Sequence, residues 1–229
     1  MHKHQILYLL QEVVVIYNDF QVQSFQETVH ESATSRWRLE NVHKVLTGEG
    51  VVIAILDTGI DPYHDAFKEK LTQIKGYNFV PDGNSAFSKP EPHGSMAAFV
   101  AAGRGFTAKH KERGEEIKPH SINIASGVAP NVKLVVCRVG TPYKAEYIIK
   151  ALEKLIEVKR KEQNGPKEWG IDVISMSFGT INDTLTASNM EDQNKIRDLV
   201  EELFFLKVIV VAAAGNYGNN KQMLFLVQL

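Results

Sequence analysis

The sequence predicts an α/β fold, a doubly wound, mostly parallel sheet with helices on both faces, and three observations predict it. Four apolar runs rich in β-branched residues lie at Val51–Leu56, Val132–Val139, Ile171–Phe178 and Val208–Ala214. The first, six apolar residues in a row, reads as a strand covered on both faces, and the other three read as further strands. Between the last three lie two helical stripes. Ala145, Ile148, Ile149, Leu152, Leu155 and Ile156 form one, and Ile196, Leu199, Val200, Leu203 and Phe204 form the other. Their spacing puts each set on a single helix face. Strands alternating with helices in this order pair in parallel through right-handed crossovers.

The first 36 residues show no sustained period. Ile6, Leu10, Val13 and Tyr17 suit a helix, Val13–Ile16 suit a strand, and the stretch 21–36 is polar. Residues 1–36 therefore read as an extension or linker, and 37–229 as one domain, long enough to bury its own core. Gln11 and Glu12 interrupt the apolar start, and no small-residue cleavage pattern follows Tyr17, so no signal peptide is expected. No apolar run is long enough to span a bilayer, and a cytoplasmic location is the default expectation.

Trp37, Leu39, Val42 and Val45 suit a short helix, and Thr47-Gly-Glu-Gly50 turns into the first strand. Residues 68–92 read as a surface excursion with a short strand around Tyr77–Val80. Gly94–Gly103 is a small-residue helix, bland on every face and expected to be buried. Residues 104–124 are basic and expected to form an exposed loop. Thr141-Pro142 suits the N-cap and first position of the next helix, and Gly165-Pro166 its end. Ser188-Asn-Met-Glu191 reads as the capping box of the last helix.

A formal net charge of −1 lacks the basic bias of a nucleic-acid or membrane-surface binder. The single cysteine, Cys137, excludes an internal disulfide and reads as a buried thiol. The glycines of Thr47-Gly-Glu-Gly50 precede the first strand instead of following it, so they make no phosphate-binding turn.

The strand ends carry the chemistry. Asp57 closes the first strand, and a charge there is costly unless something pairs with it. That end of a parallel sheet is also where active sites lie. Alone, Asp57 fits a turn or helix cap equally well. The third run ends Ser175-Met-Ser177-Phe178-Gly179, the fourth Ala212-Ala-Ala-Gly215-Asn216, and Pro92-His93-Gly94-Ser95 precedes the small-residue helix. An Asp, a His and an Asn so placed could orient a base, activate a nucleophile and bind an oxyanion. Each also has a plainer role: His93 as a loop histidine, Asn216 as a turn former beside Gly215, Ser177 as the end of a strand. His64 and Asp65 could join Asp61 at a metal, but nothing completes a ligand set, and they read as surface turn residues.

Taken together, these stretches resemble the subtilisin-like serine proteases. Ala54-Ile-Leu-Asp-Thr-Gly-Ile-Asp61 resembles the family's aspartate motif. His93-Gly-Ser-Met-Ala-Ala-Phe-Val-Ala-Ala-Gly103 resembles its histidine motif, with Ser-Met in place of the usual Thr-His. Gly127-Val-Ala-Pro-Asn-Val-Lys-Leu134, Val173-Ile-Ser-Met-Ser-Phe-Gly179 and Val210-Val-Ala-Ala-Ala-Gly-Asn216 are similar to three further segments, in the family's order. The resemblance implies that Asp57 orients His93, that His93 is the general base, and that Asn216 donates its amide to the oxyanion. It implies that Ser177, Phe178 and Gly179 pair by backbone with an extended polypeptide substrate. Ala213 and Ala214 would wall the pocket for the residue before the scissile bond. Residues 1–36 could be the remnant of an inhibitory pro-segment. No cofactor is expected; calcium is common in the family, but its ligands are not readable here.

The family's nucleophile sits in a Gly-Thr-Ser-Met-Ala-x-Pro motif well beyond the oxyanion asparagine. The thirteen residues after Asn216 include no Ser, Thr or Cys. Ser95 lies in a Gly-Ser-Met-Ala stretch of similar look, but its place in the chain is that of the histidine motif. The expectation is therefore the front part of a serine endopeptidase, or else a catalytically dead relative that binds extended peptides without cutting them.

Overall fold

The computed structural model describes residues 39–87, 92–110, 120–140, 143–163, 169–179 and 187–213. In chain order the elements are α1 (Glu40–His43), β1 (Val52–Asp57), a 3-10 turn (Lys68–Gln73), β2 (Ile74–Asn78), α2 (Pro92–Ala102), β3 (Phe106–His110), β4 (His120–Ile124), β5 (Lys133–Arg138), α3 (Ala145–Gln163), β6 (Val173–Met176), α4 (Ala187–Phe205) and β7 (Ile209–Ala212). Five strands form one sheet in the order β2-β5-β1-β6-β7, every pair parallel. The expected doubly wound fold is present, with β1 in the middle and all of its residues buried.

The two faces of β1 explain the position of the site. Val52, Ala54 and Leu56 pack with Ile148, Leu152 and Leu155 of α3 and with Ile196, Leu199 and Leu203 of α4. Ile53 and Ile55 pack with Ala98, Ala101 and Ala102 of α2. Side chains alternate along a strand, so Asp57 continues the Ile53–Ile55 series and emerges on the α2 side. Cys137 is fully buried in β5, and burial pushes its thiol up, away from the reactive thiolate.

Several boundaries differ from the sequence expectation. The strand placed around Tyr77–Val80 is Ile74–Asn78, pairing along β5 from Ile74↔Leu134 to Asn78↔Arg138. Its glycine, lysine and asparagine had masked the pattern. The basic stretch 104–124 is not only loop: β3 and β4 form an antiparallel pair, Phe106 opposite Ile124. Phe106 also meets Phe99 of α2 edge-on at 5.9 Å, a contact that alternation alone does not reveal. Helix α2 is buried on one side only, since Met96 is 42% exposed while Gly94, Ala97, Ala98, Ala101 and Ala102 are buried. Helix α4 already includes Ala187, so Ser188 lies in its first turn and not at its N-cap. The segment 1–36, Thr141-Pro142, Gly165-Pro166, Ala214 and Asn216 lie outside the described residues.

Lys70 is fully buried in the half of the core beneath α2. Its Nζ donates to the carbonyls of Ala102 at 2.9 Å and Pro130 at 3.1 Å, fastening the end of α2 to the turn before β5. Burial, with the charge of Arg104 nearby, lowers its pKa to about 8. The unfolded chain holds this proton more tightly than the folded one. Folding stability from Lys70 is therefore complete above its unfolded pKa and falls away as the pH drops through about 8. Urea unfolding of the parent and of Lys70→Met tests this: the parent gains about 2 kcal/mol on the variant between about pH 7.5 and pH 10. Parallel pH profiles would contradict it.

Candidate active site

Three consecutive residues of α2 are stitched to the segment that leaves β1. His93 Nδ1 lies 2.8 Å from Asp57 Oδ1, Gly94 N–H donates to Thr58 Oγ1 at 3.0 Å, and Ser95 Oγ accepts the N–H of Asp61 at 2.9 Å. Pro92 suits the first helical position, where its missing N–H is no loss. Thr58 satisfies one of the N–H groups that the start of a helix leaves without an intrahelical partner. Gly59 turns the chain at φ +99°, and a Cβ on Gly94 would sit 2.1 Å from the Gly59 carbonyl oxygen. The backbones thus approach as closely as two glycines allow.

Asp57 is completely buried, whereas the His93 side chain is 41% exposed. Oδ1 of Asp57 also accepts the N–H of Thr58 at 2.7 Å and the hydroxyl of Tyr143 at 3.2 Å. An ionised carboxylate only accepts, so Nδ1 of His93 carries the proton and Nε2 keeps the lone pair. The first turn of α2 adds a favourable field for the carboxylate charge. Three donors therefore converge on Oδ1, while Oδ2 is buried without a hydrogen-bond partner among the described residues. Chemically, the arrangement is a base of fixed tautomer, backed by a carboxylate shielded from water.

The neighbouring strands fix the surroundings. Asp57 is paired in register with Arg138 of β5, and its carbonyl accepts the N–H of Val139 at 2.8 Å. The Arg138 guanidinium is held by Asp82, at 2.7 Å to Oδ2 and 2.9 Å to Oδ1, and this pair keeps the Asp82 carboxyl well below the usual carboxylate range. On the other side Leu56 pairs with Met176, so Ser177-Phe178-Gly179 leaves β6 beside the end of β1. Ser177 and Gly179 are half-buried. Phe178 is 8% exposed and stacks on Tyr143, with ring centroids 4.8 Å apart and planes at 27°. Ala213 is buried and its N–H donates to the Met176 carbonyl at 3.0 Å.

The structure therefore brings Asp57 and His93 together and sets Ser177–Gly179 and Ala213 at the same end of the sheet. Sequence reasoning missed Thr58, Tyr143 and Arg138. Thr58 could have been found from its place inside Asp-Thr-Gly; Tyr143 follows a loop and carries no periodic signal. Ser95 uses its hydroxyl on Asp61. Asp61 also accepts the N–H of Tyr63, His64 Nδ1 accepts the N–H of Ala66, and Asp65 pairs with Lys68, so these are turn residues. Among the described residues no group of three or more His, Cys, Asp and Glu is arranged to hold a metal, so no calcium site is derived. No described helix is long and apolar enough to cross a membrane.

Comparison with known proteins agrees with the fold and identifies the family. The peptidase S8 profile, described as the subtilase family, matches residues 48–225. The chain is 26% identical over 224 residues to the serine protease AprX of Bacillus subtilis, covering 96% of this chain and 45% of that protein. It is 28% identical over 178 residues to an intracellular serine protease of Paenibacillus polymyxa, covering 75% of this chain and 43% of the relative. Its fold is like that of MycP1 from Mycobacterium smegmatis, with a TM-score of 0.56 at 19% identity, over 86% of this chain and 48% of the other. The chain thus spans somewhat less than half the length of these relatives.

The stitching between α2 and β1 makes a direct prediction. Gly94→Ala forces the two backbones apart, costing about 1–3 kcal/mol of stability and lengthening the Asp57–His93 contact. Urea unfolding and a crystal structure of the variant check both; an unchanged contact would contradict the close-approach argument.

Proposed function

This chain belongs to the subtilase family, and on that premise we propose that it carries the base half of a serine endopeptidase. The observation that carries the reading is the 2.8 Å contact between His93 Nδ1 and the buried Asp57, at the carboxyl end of the central parallel strand. In this reading Nε2 of His93 removes the proton from an attacking serine hydroxyl and returns it to the leaving amine. Asp57 keeps the imidazole in the Nδ1–H tautomer and stabilises the imidazolium that forms. Asn216 donates its side-chain amide to the oxyanion. The substrate is an extended polypeptide lying along Ser177–Gly179, with Phe178 contributing through its backbone because its ring is buried. Ala213 and Ala214 border the pocket for the residue before the scissile bond. The serine of this reading is not among residues 217–229.

One observation favours a second reading, in which the product binds extended peptides without cutting them. The thirteen residues from Tyr217 to Leu229 include no Ser, Thr or Cys. Sequencing the native transcript through the codon for Leu229, with a peptidase assay on the encoded product, separates the two. The endopeptidase reading expects the frame to continue into a Gly-Thr-Ser-Met-Ala segment. It also expects His93→Ala to lower kcat by about 10⁶-fold, the scale for loss of a triad base. A stop after Leu229, with peptide bound and none cleaved, would establish the second reading and end the first.

A further inference from the structure

Tyr143 lies outside every motif that marks the site, yet its side chain reaches the centre. Its hydroxyl donates to Asp57 Oδ1 at 3.2 Å, the same oxygen that receives His93 at 2.8 Å. The ring is clamped. One side stacks on Phe178 at 4.8 Å, and it lies so close to Gly140 that a Cβ there would approach its carbons at 2.7 Å. Gly140 in turn donates its N–H toward the Asp57 carbonyl, at 3.4 Å. A clamped ring delivers its hydroxyl to one place at little entropic cost.

We propose that Tyr143 is a positioning residue of the Asp57–His93 pair, which holds the carboxylate in line and draws part of its charge away from the imidazole. This rests on the reading of those two residues as a catalytic dyad. A carboxylate that accepts a further hydrogen bond is a weaker partner for the imidazolium. The Tyr143 hydroxyl therefore keeps His93 a neutral base to lower pH than Asp57 alone would allow. The other charged groups around Asp57 leave this role to Tyr143. From α2 the only titratable side chain against it is His93 itself. From β5 the register partner Arg138 is committed to Asp82. The adjoining Ser177-Phe178-Gly179 segment carries no charge. Phe178, at the middle of the segment assigned to the peptide, sets the height of the Tyr143 ring, so the site for peptide and the base share one aromatic support.

The test is a proton titration of His93 by NMR in the full 229-residue chain, its resonance assigned with His93→Gln. The variants are Asp57→Asn, Tyr143→Phe and Tyr143→Leu. Asp57→Asn should lower the His93 midpoint by about one pH unit or more, since the opposite charge is gone. Tyr143→Phe keeps the stack, loses only the hydroxyl, and should raise the midpoint by about half a unit. An unmoved midpoint in Asp57→Asn would overturn the dyad itself. A downward shift in Asp57→Asn with no rise in Tyr143→Phe would leave the dyad standing and overturn the role of Tyr143. A midpoint moved only in Tyr143→Leu would make Tyr143 a packing residue, which also overturns the proposal.

Discussion

The site depends on one close approach, that of the first turn of α2 to the segment leaving β1. His93, Gly94 and Ser95 each make a hydrogen bond to it, reaching Asp57, Thr58 and Asp61 in turn. None is strong alone; a net hydrogen bond contributes about 1 kcal/mol. Their value is geometric. Successive residues of a helix cannot move independently, so three contacts at adjacent positions fix both the depth and the rotation of α2. The His93 ring then has little choice of place. The small residues Ala98, Ala101 and Ala102 serve the same end by letting the helix sit close to Ile53 and Ile55.

Burial decides which partner does what. Asp57 is fully shielded and would be costly without its donors, while His93 keeps an exposed surface. A shielded carboxylate with three donors on one oxygen is suited to hold a tautomer, and a partly exposed imidazole is suited to exchange a proton. The strand register supplies the rest. Arg138 beside Asp57 is neutralised by Asp82, which lies in a loop that Ala86 ties to Ile60 through a 3.1 Å backbone hydrogen bond. The Arg138 charge is thereby tied up in a bidentate pair and does not compete with His93.

The parts legible in the sequence were those carried by local pattern. Apolar, β-branched stretches marked four of the five sheet strands, and period 3.6 marked α3 and α4. Asp57 and His93 stood out because a charge and an imidazole interrupt apolar or small-residue stretches. What stayed hidden depended on long-range packing. The β3–β4 pair exists because Phe106 finds Phe99 and His64, at 5.9 and 5.1 Å. Strand β2 was blurred by Lys75 and Gly76, whose role is set by β5 and by Phe87 across it. Tyr143 was invisible because only the fold brings its hydroxyl to a carboxylate 86 positions earlier.

The central claim is that Nδ1 of His93 donates a proton to a buried Asp57 carboxylate. The most direct measurement is the proton NMR spectrum of the chain just below the His93 titration. The account predicts an Nδ1–H resonance far downfield of an ordinary imidazole, exchanging slowly with water and absent from Asp57→Asn. A resonance at the ordinary position, exchanging as freely as in a short peptide, would contradict it.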